Sequence, residues 1–125
     1  MENIILTILI SVTIIIVTMI RKQKYTLVYA PITRSHLGAI DRKFYSLIRT
    51  TIENYLQVDP DVETRNRKPL RRQVVFEAEW ELRFAPDNRF RIFYDINMEF
   101  QEVNILVIGE KAGNRLFTGG KEIKL

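Results

Sequence analysis

Hydrophobic and polar positions divide the chain into two unlike parts. Residues 4–20 carry no charge, and apart from Thr7, Ser11, Thr13 and Thr18 each is aliphatic or Met. As a helix, this stretch is about 26 Å long, just short of the roughly 30 Å hydrocarbon core of a bilayer. Two readings stand side by side. The segment is a short membrane helix, with Arg21, Lys22 and Lys24 holding its carboxyl side in the cytoplasm. Alternatively, synthesis begins at Met19 and residues 1–18 lie upstream of the true start. A secretory signal peptide fits poorly, since Glu2 is the only charge ahead of the run and no small-residue cleavage site follows it. The chain therefore reads as an apolar segment, residues 1–20, and a domain, residues 21–125.

Within the domain, residues 24–30 (Lys-Tyr-Thr-Leu-Val-Tyr-Ala) predict a short strand stopped by Pro31. Thr33 or Ser35 caps a short helix over 36–41, weakened by Gly38. A longer helix is expected over 42–57. There Phe44, Leu47, Ile48, Thr51, Ile52, Tyr55 and Leu56 recur at helical spacing, opposite Arg42, Lys43, Arg49 and Glu53. Asp59-Pro60-Asp61 ends it. Residues 63–72 show little apolar periodicity and read as an exposed basic connection.

Three strands follow. Residues 76–84 alternate, with Trp80, Leu82 and Phe84 on one face and Glu79, Glu81 and Arg83 on the other. After the turn residues Ala85-Pro86-Asp87-Asn88, positions 89–96 set Phe90, Ile92, Tyr94 and Ile96 against Arg89, Arg91, Phe93 and Asp95. Residues 103–108 are apolar on both faces, as in a central strand, and Gly109 is expected to end it. The tail over 116–125, with Gly119-Gly120, adds a further short strand. The fold class is α+β: a β-α-α-β-β-β order with an antiparallel sheet on a helical hairpin. Trp80, Phe90, Ile92 and Tyr94 would pack on Phe44, Leu47, Ile48 and Leu56. The opposite face would display Glu81, Arg83, Arg89 and Arg91, with Lys111 at the end of the central strand.

Composition narrows the chemistry. The chain has 125 residues, no Cys and one His, which excludes a disulfide framework, a Cys-ligated zinc site and a cysteine nucleophile. No cluster of acidic residues has metal-loop spacing, so neither metal nor cofactor is expected, and Gly119-Gly120 lacks the residues of a phosphate loop. His36 reads as a surface or capping residue. The net charge is +4 overall, and with Glu2 the only charge before Arg21, the domain carries one unit more. Arg65, Arg67, Lys68, Arg71, Arg72, Arg83, Arg89, Arg91, Lys111 and Arg115 all fall in its second half. Such a concentration suits a polyanion, above all nucleic acid. One reaction needs no Cys, His or metal: attack of an RNA 2′-OH on its own phosphate, helped by positive charge on that phosphate. Arg83, Arg91 and Lys111 can supply the charge from one face, while Glu81 and Glu110 are the exposed candidates for a base.

The element order, with Asn66-Arg67-Lys68-Pro69-Leu70, Trp80-Glu81-Leu82-Arg83, Arg89-Phe90-Arg91-Ile92-Phe93-Tyr94 and Val107-Ile108-Gly109-Glu110-Lys111, resembles the RelE/ParE superfamily of toxins from type II toxin-antitoxin modules. The resemblance covers residues 25–125. It implies a cytoplasmic toxin neutralised by a cognate antitoxin. RelE-like members enter the ribosomal A site and cleave mRNA as metal-independent endoribonucleases, whereas ParE-like members poison DNA gyrase without catalysis. On the RelE pattern, Arg91 and Lys111 would stabilise the scissile phosphate and Arg83 would assist. Arg65, Arg67, Lys68, Arg71, Arg72, Arg89 and Arg115 would contact the nucleic acid more widely. Two positions depart from the pattern: Phe117 matches a catalytic tyrosine, and Glu81 stands where a lysine is often found. A reading from another class is a membrane-tethered basic module that binds an acidic protein or lipid surface.

Overall fold

The computed structural model describes residues 2–21, 24–71 and 77–124. The apolar run is helical throughout, as α1 (Glu2–Arg21). Its side chains over residues 3–17 are all exposed, from Ile4 at 65% to Val17 at 40%, so the domain does not cover them. Among the described residues, no helix is long and apolar enough to cross a membrane.

The domain begins with β1 (Thr26–Tyr29), which Pro31 ends as expected. The first domain helix, α2 (Thr33–Gly38), starts three residues earlier than the sequence suggests. Thr33 is not a cap but the first helical residue, and its hydroxyl donates to the Ala30 carbonyl at 2.7 Å, closing the turn after β1. The longer helix opens with one 3-10 turn (Arg42–Phe44), capped by the Asp41 carboxylate on the Lys43 N–H at 3.0 Å, and continues as α3 (Tyr45–Leu56). Its buried stripe is Ile48, Thr51, Ile52 and Leu56; Leu47, expected in the core, is exposed.

Among the described residues, seven strands make one sheet in the order β2-β3-β4-β5-β6-β7, with β1 also paired to β5. They are β2 (Arg67–Pro69), β3 (Trp80–Phe84), β4 (Phe90–Asn97), β5 (Glu102–Ala112), β6 (Arg115–Thr118) and β7 (Lys121–Ile123). The sheet is mixed rather than purely antiparallel: β1 runs parallel to β5, a pairing that requires the α2–α3 crossover. The basic connection is partly strand, since β2 pairs with β3. Residues 72–76, and with them Arg72 and Phe76, lie outside the described residues.

Gly109 does not end the central strand. An added Cβ there would stand 2.9 Å from Leu116 Cδ1, so the glycine admits β6 and lets β5 run on to Ala112. The tail forms two strands, because Gly119 and Gly120 both take positive φ, the backbone of a tight hairpin turn.

The main core lies between the sheet and the helices. Phe90, Ile92 and Tyr94 of β4 meet Ile48, Ile52 and Leu56 of α3 there, together with Leu82, Val103, Ile105 and Ile108. Trp80 is only partly buried and stacks on Tyr94 with ring centroids 6.2 Å apart. The Tyr94 hydroxyl donates to the Pro60 carbonyl at 2.8 Å, fixing the segment after α3. A register shift opposite Phe93/Tyr94 adds a residue to β5. This bulge lets Ile105 and Ile108 both face the core while Leu106 and Val107 join the other side. That outer side is not bare, because Ala78, Phe93, Val107 and Leu116 form a small second cluster there.

Candidate functional site

Strand alternation places Arg83 and Arg91 directly opposite each other on the outer face. Two like charges in register repel, and Glu81, two residues before Arg83, resolves the conflict. One of its oxygens, Oε1, accepts from Arg83 Nε at 2.7 Å and from Arg91 Nη1 at 2.5 Å. The Arg91 Nε also donates to the Asn88 carbonyl at 3.2 Å. Glu81 is only 3% exposed and stands across from Phe93, so the pairing sits above an apolar floor of Phe93, Val107 and Leu116. Low polarity beneath the charges strengthens their attraction and holds the two guanidinium groups in place. The Arg91 side chain is 12% exposed and that of Arg83 40%.

Two cations on one carboxylate leave net positive charge and several guanidinium N–H groups without a partner in the cluster. Lys111 adds a further positive charge on the same face, two residues beyond Gly109, which faces Arg91. It has no ion-pair partner among the described residues. The sequence-predicted trio of Arg83, Arg91 and Lys111 therefore shares one sheet face. Such a surface can bind an anion in a fixed orientation, and paired guanidiniums suit a phosphate in particular.

The other predicted basic residues scatter. Arg89 leaves the outer face, because its backbone is helical (φ −60°, ψ −40°) and breaks the alternation. Its guanidinium carbon lies 4.5 Å from the centroid of Phe44, and its Nε donates to Glu110 at 2.7 Å. Arg67 turns inward and donates to the carbonyls of Tyr55, Val58 and Val62, closing the C-terminal end of α3. Lys68 approaches Glu63 at 3.6 Å and Arg115 approaches Glu122 at 4.0 Å. Arg65 and Arg71 are exposed.

Neither expected base is an exposed carboxylate on the site. Glu81 is buried under its two arginines, and Glu110 faces the helical layer, in register with Phe90 and paired with Arg89. Phe117, which the resemblance sets where the family has a catalytic tyrosine, is in register with Glu110 and lines a pocket with His36 and Ile40. It therefore occupies the opposite side of the sheet from Arg91.

His36, read as a surface or capping residue, is buried. One edge of β5 is taken by β1 at residues 102–105 and by β6 at 110–112, which leaves Ile108 between them. The His36 Nδ1 accepts the Ile108 N–H at 3.2 Å and fills that gap. Burial pushes its pKa below the usual histidine value, which keeps the ring neutral and able to accept. Nothing in the local sequence signals this contact; it arises from two short strands sharing one long edge. Among the described residues, no group of His, Asp and Glu is arranged to hold a metal ion. Compared with protein-family models, curated proteins and solved structures, the chain has no match.

Proposed function

We propose that this chain is the toxin of a type II toxin-antitoxin module, a RelE-type endoribonuclease acting in the cytoplasm on mRNA at the ribosome. The observation that carries this reading is the pair of arginines, Arg83 and Arg91, fixed side by side by buried Glu81 on the outer face of the sheet. Lys111 completes the cationic surface. In the reaction the 2′-OH gives up its proton to water as its oxygen bonds to the adjacent phosphorus. The P–O5′ bond breaks, the departing 5′-oxygen takes up a proton from water, and negative charge grows on the phosphate oxygens. The three cations stabilise that charge. The face supplies charge rather than an exposed base, which fits a reaction that depends on the ribosome to align the 2′-OH.

A groove of about 970 Å³ beside β1 and the helices supports the expectation of an antitoxin partner. Its walls include Leu27, Tyr29, Leu37, Ile48 and Ile52, with Lys24 and Arg34 at hand for an acidic, amphipathic segment that folds on binding.

One observation favours a second reading. With Phe117 turned to the helical side and both carboxylates engaged, the module is also suited to a non-enzymatic role, binding DNA gyrase in the ParE manner. Induction of the chain from Met19 tests the toxin reading: growth arrests, and Arg91→Ala relieves the arrest at equal soluble yield. Normal growth with soluble wild-type protein would count against both branches. Arrest with DNA-damage signalling, while translation in a cell extract continues, would select the gyrase branch.

A further inference from the structure

Where the β3–β4 turn meets the far end of β5 lies a cleft of about 650 Å³. Phe44, Pro86, Asp87, Arg89, Glu110 and Lys111 line it. Lys111 joins this cleft to the outer face. The Lys111 N–H donates to the Arg89 carbonyl at 2.7 Å, and the neighbouring Asn88 carbonyl holds Arg91. The turn between them is tightly specified. Ala85 has φ 70° and ψ 174°, a region that glycine alone enters freely, and Asp87 and Asn88 also have positive φ. The same short turn thus sets Arg91 on the outer face and Arg89 in the cleft.

Arg89 is held at two points. Its guanidinium carbon lies over the Phe44 ring, 4.5 Å from the centroid, Glu110 accepts from its Nε at 2.7 Å, and its side chain stays 44% exposed. Charge in the cleft is balanced, with Arg89 and Lys111 set against Asp87 and Glu110. A second phosphate gains little in a balanced cleft, whereas an uncharged aromatic ring gains a planar, polarisable platform.

We propose that this cleft is a nucleobase subsite, in which the base of the nucleotide next to the bound phosphate stacks on the Arg89 guanidinium backed by Phe44. The inference rests on the phosphate-binding reading of Arg83, Arg91 and Lys111, and it assigns the adjoining base a place. Stacking of this kind tolerates any base, so the subsite adds affinity for single-stranded RNA without dictating its sequence.

Fluorescence anisotropy with the full-length chain, kept in solution by a mild detergent, tests it. The probes are a short single-stranded oligoribonucleotide and an abasic ribose-phosphate strand of equal length. Wild type should bind the base-bearing strand about tenfold more tightly than the abasic one. Arg89→Lys, which keeps the charge and loses the plane, should bring the two affinities close together with abasic binding unchanged. Phe44→Leu, which keeps apolar volume, should act in the same direction, and matching unfolding temperatures would show that both variants fold. Arg91→Ala should weaken both probes. Equal binding of the two probes by wild type, or an unchanged ratio in Arg89→Lys, would overturn the subsite while leaving the phosphate face standing. If Arg91→Ala leaves both affinities unchanged, the phosphate face itself is wrong and the subsite falls with it.

Discussion

The two faces of the sheet come from the same strands and do different work. On the helical side, Phe90, Ile92 and Tyr94 of β4 are fully buried against α3, and the face is almost wholly apolar. On the outer side, alternate residues of the same strand are Arg91 and Phe93, and the apolar cluster is small. Burial there serves to hold a carboxylate, Glu81, at 3% exposure beneath two arginines. One face converts burial into stability, and the other converts it into fixed positive charge. A buried ion pair is a weak source of net stability, because desolvation offsets most of the attraction. Its presence on the outer face therefore points to positioning rather than to folding.

Substitutions can break this contrast in order of size. Phe90→Ala removes a fully buried ring from the helical side and should cost about 3–5 kcal/mol in denaturant unfolding. A loss below about 1 kcal/mol would mean that the helical side is not the main core. Glu81→Ala leaves Arg91 largely buried without its counter-ion and should cost roughly 3 kcal/mol. Arg83→Ala, at a half-exposed pair, should cost well under 1 kcal/mol by the same measurement. Equal losses for these two variants would remove the distinction between a buried anchor and a surface partner.

A smaller effect is pH-dependent and belongs to the join between the two sides. Neutral His36 accepts the Ile108 N–H, and burial lowers its pKa in the folded chain. The unfolded chain thus binds more protons below the ordinary histidine value of about 6.5. Stability from this contact is complete above that pH and declines as the pH falls toward the lowered folded value. His36→Gln should flatten that dependence in melting curves recorded between pH 7.5 and 5. An unchanged slope would show that His36 does not report on the fold.

Much of the architecture was legible because periodicity survives packing. The stripe on α3 and the alternation through β3 and β4 place most of the core correctly, and the same alternation puts Arg83 and Arg91 on one face. What escaped depends on local backbone geometry or on contacts between distant segments. Alternation assigns Arg89 to the outer face, but one helical residue after the turn sends it to Phe44. Gly109 reads as a strand end, yet it is the place where β6 approaches β5. Arg67 belongs by sequence to a nucleic-acid-binding run, and its guanidinium instead binds the carbonyls at the end of α3. Alternation along β3 places Glu81 on the outer face with Arg83. Its burial between two arginines is visible only once β3 and β4 are in register.

On the proposed reading, the outer-face cations act on RNA phosphate at the ribosome. Cell-free translation of a defined mRNA, followed by primer-extension mapping of its 5′ ends, puts this to the test. Added protein should produce new cuts within ribosome-occupied codons, and Arg91→Ala should abolish them at equal concentration. An intact message with undiminished translation, in the presence of folded wild-type protein, would contradict it.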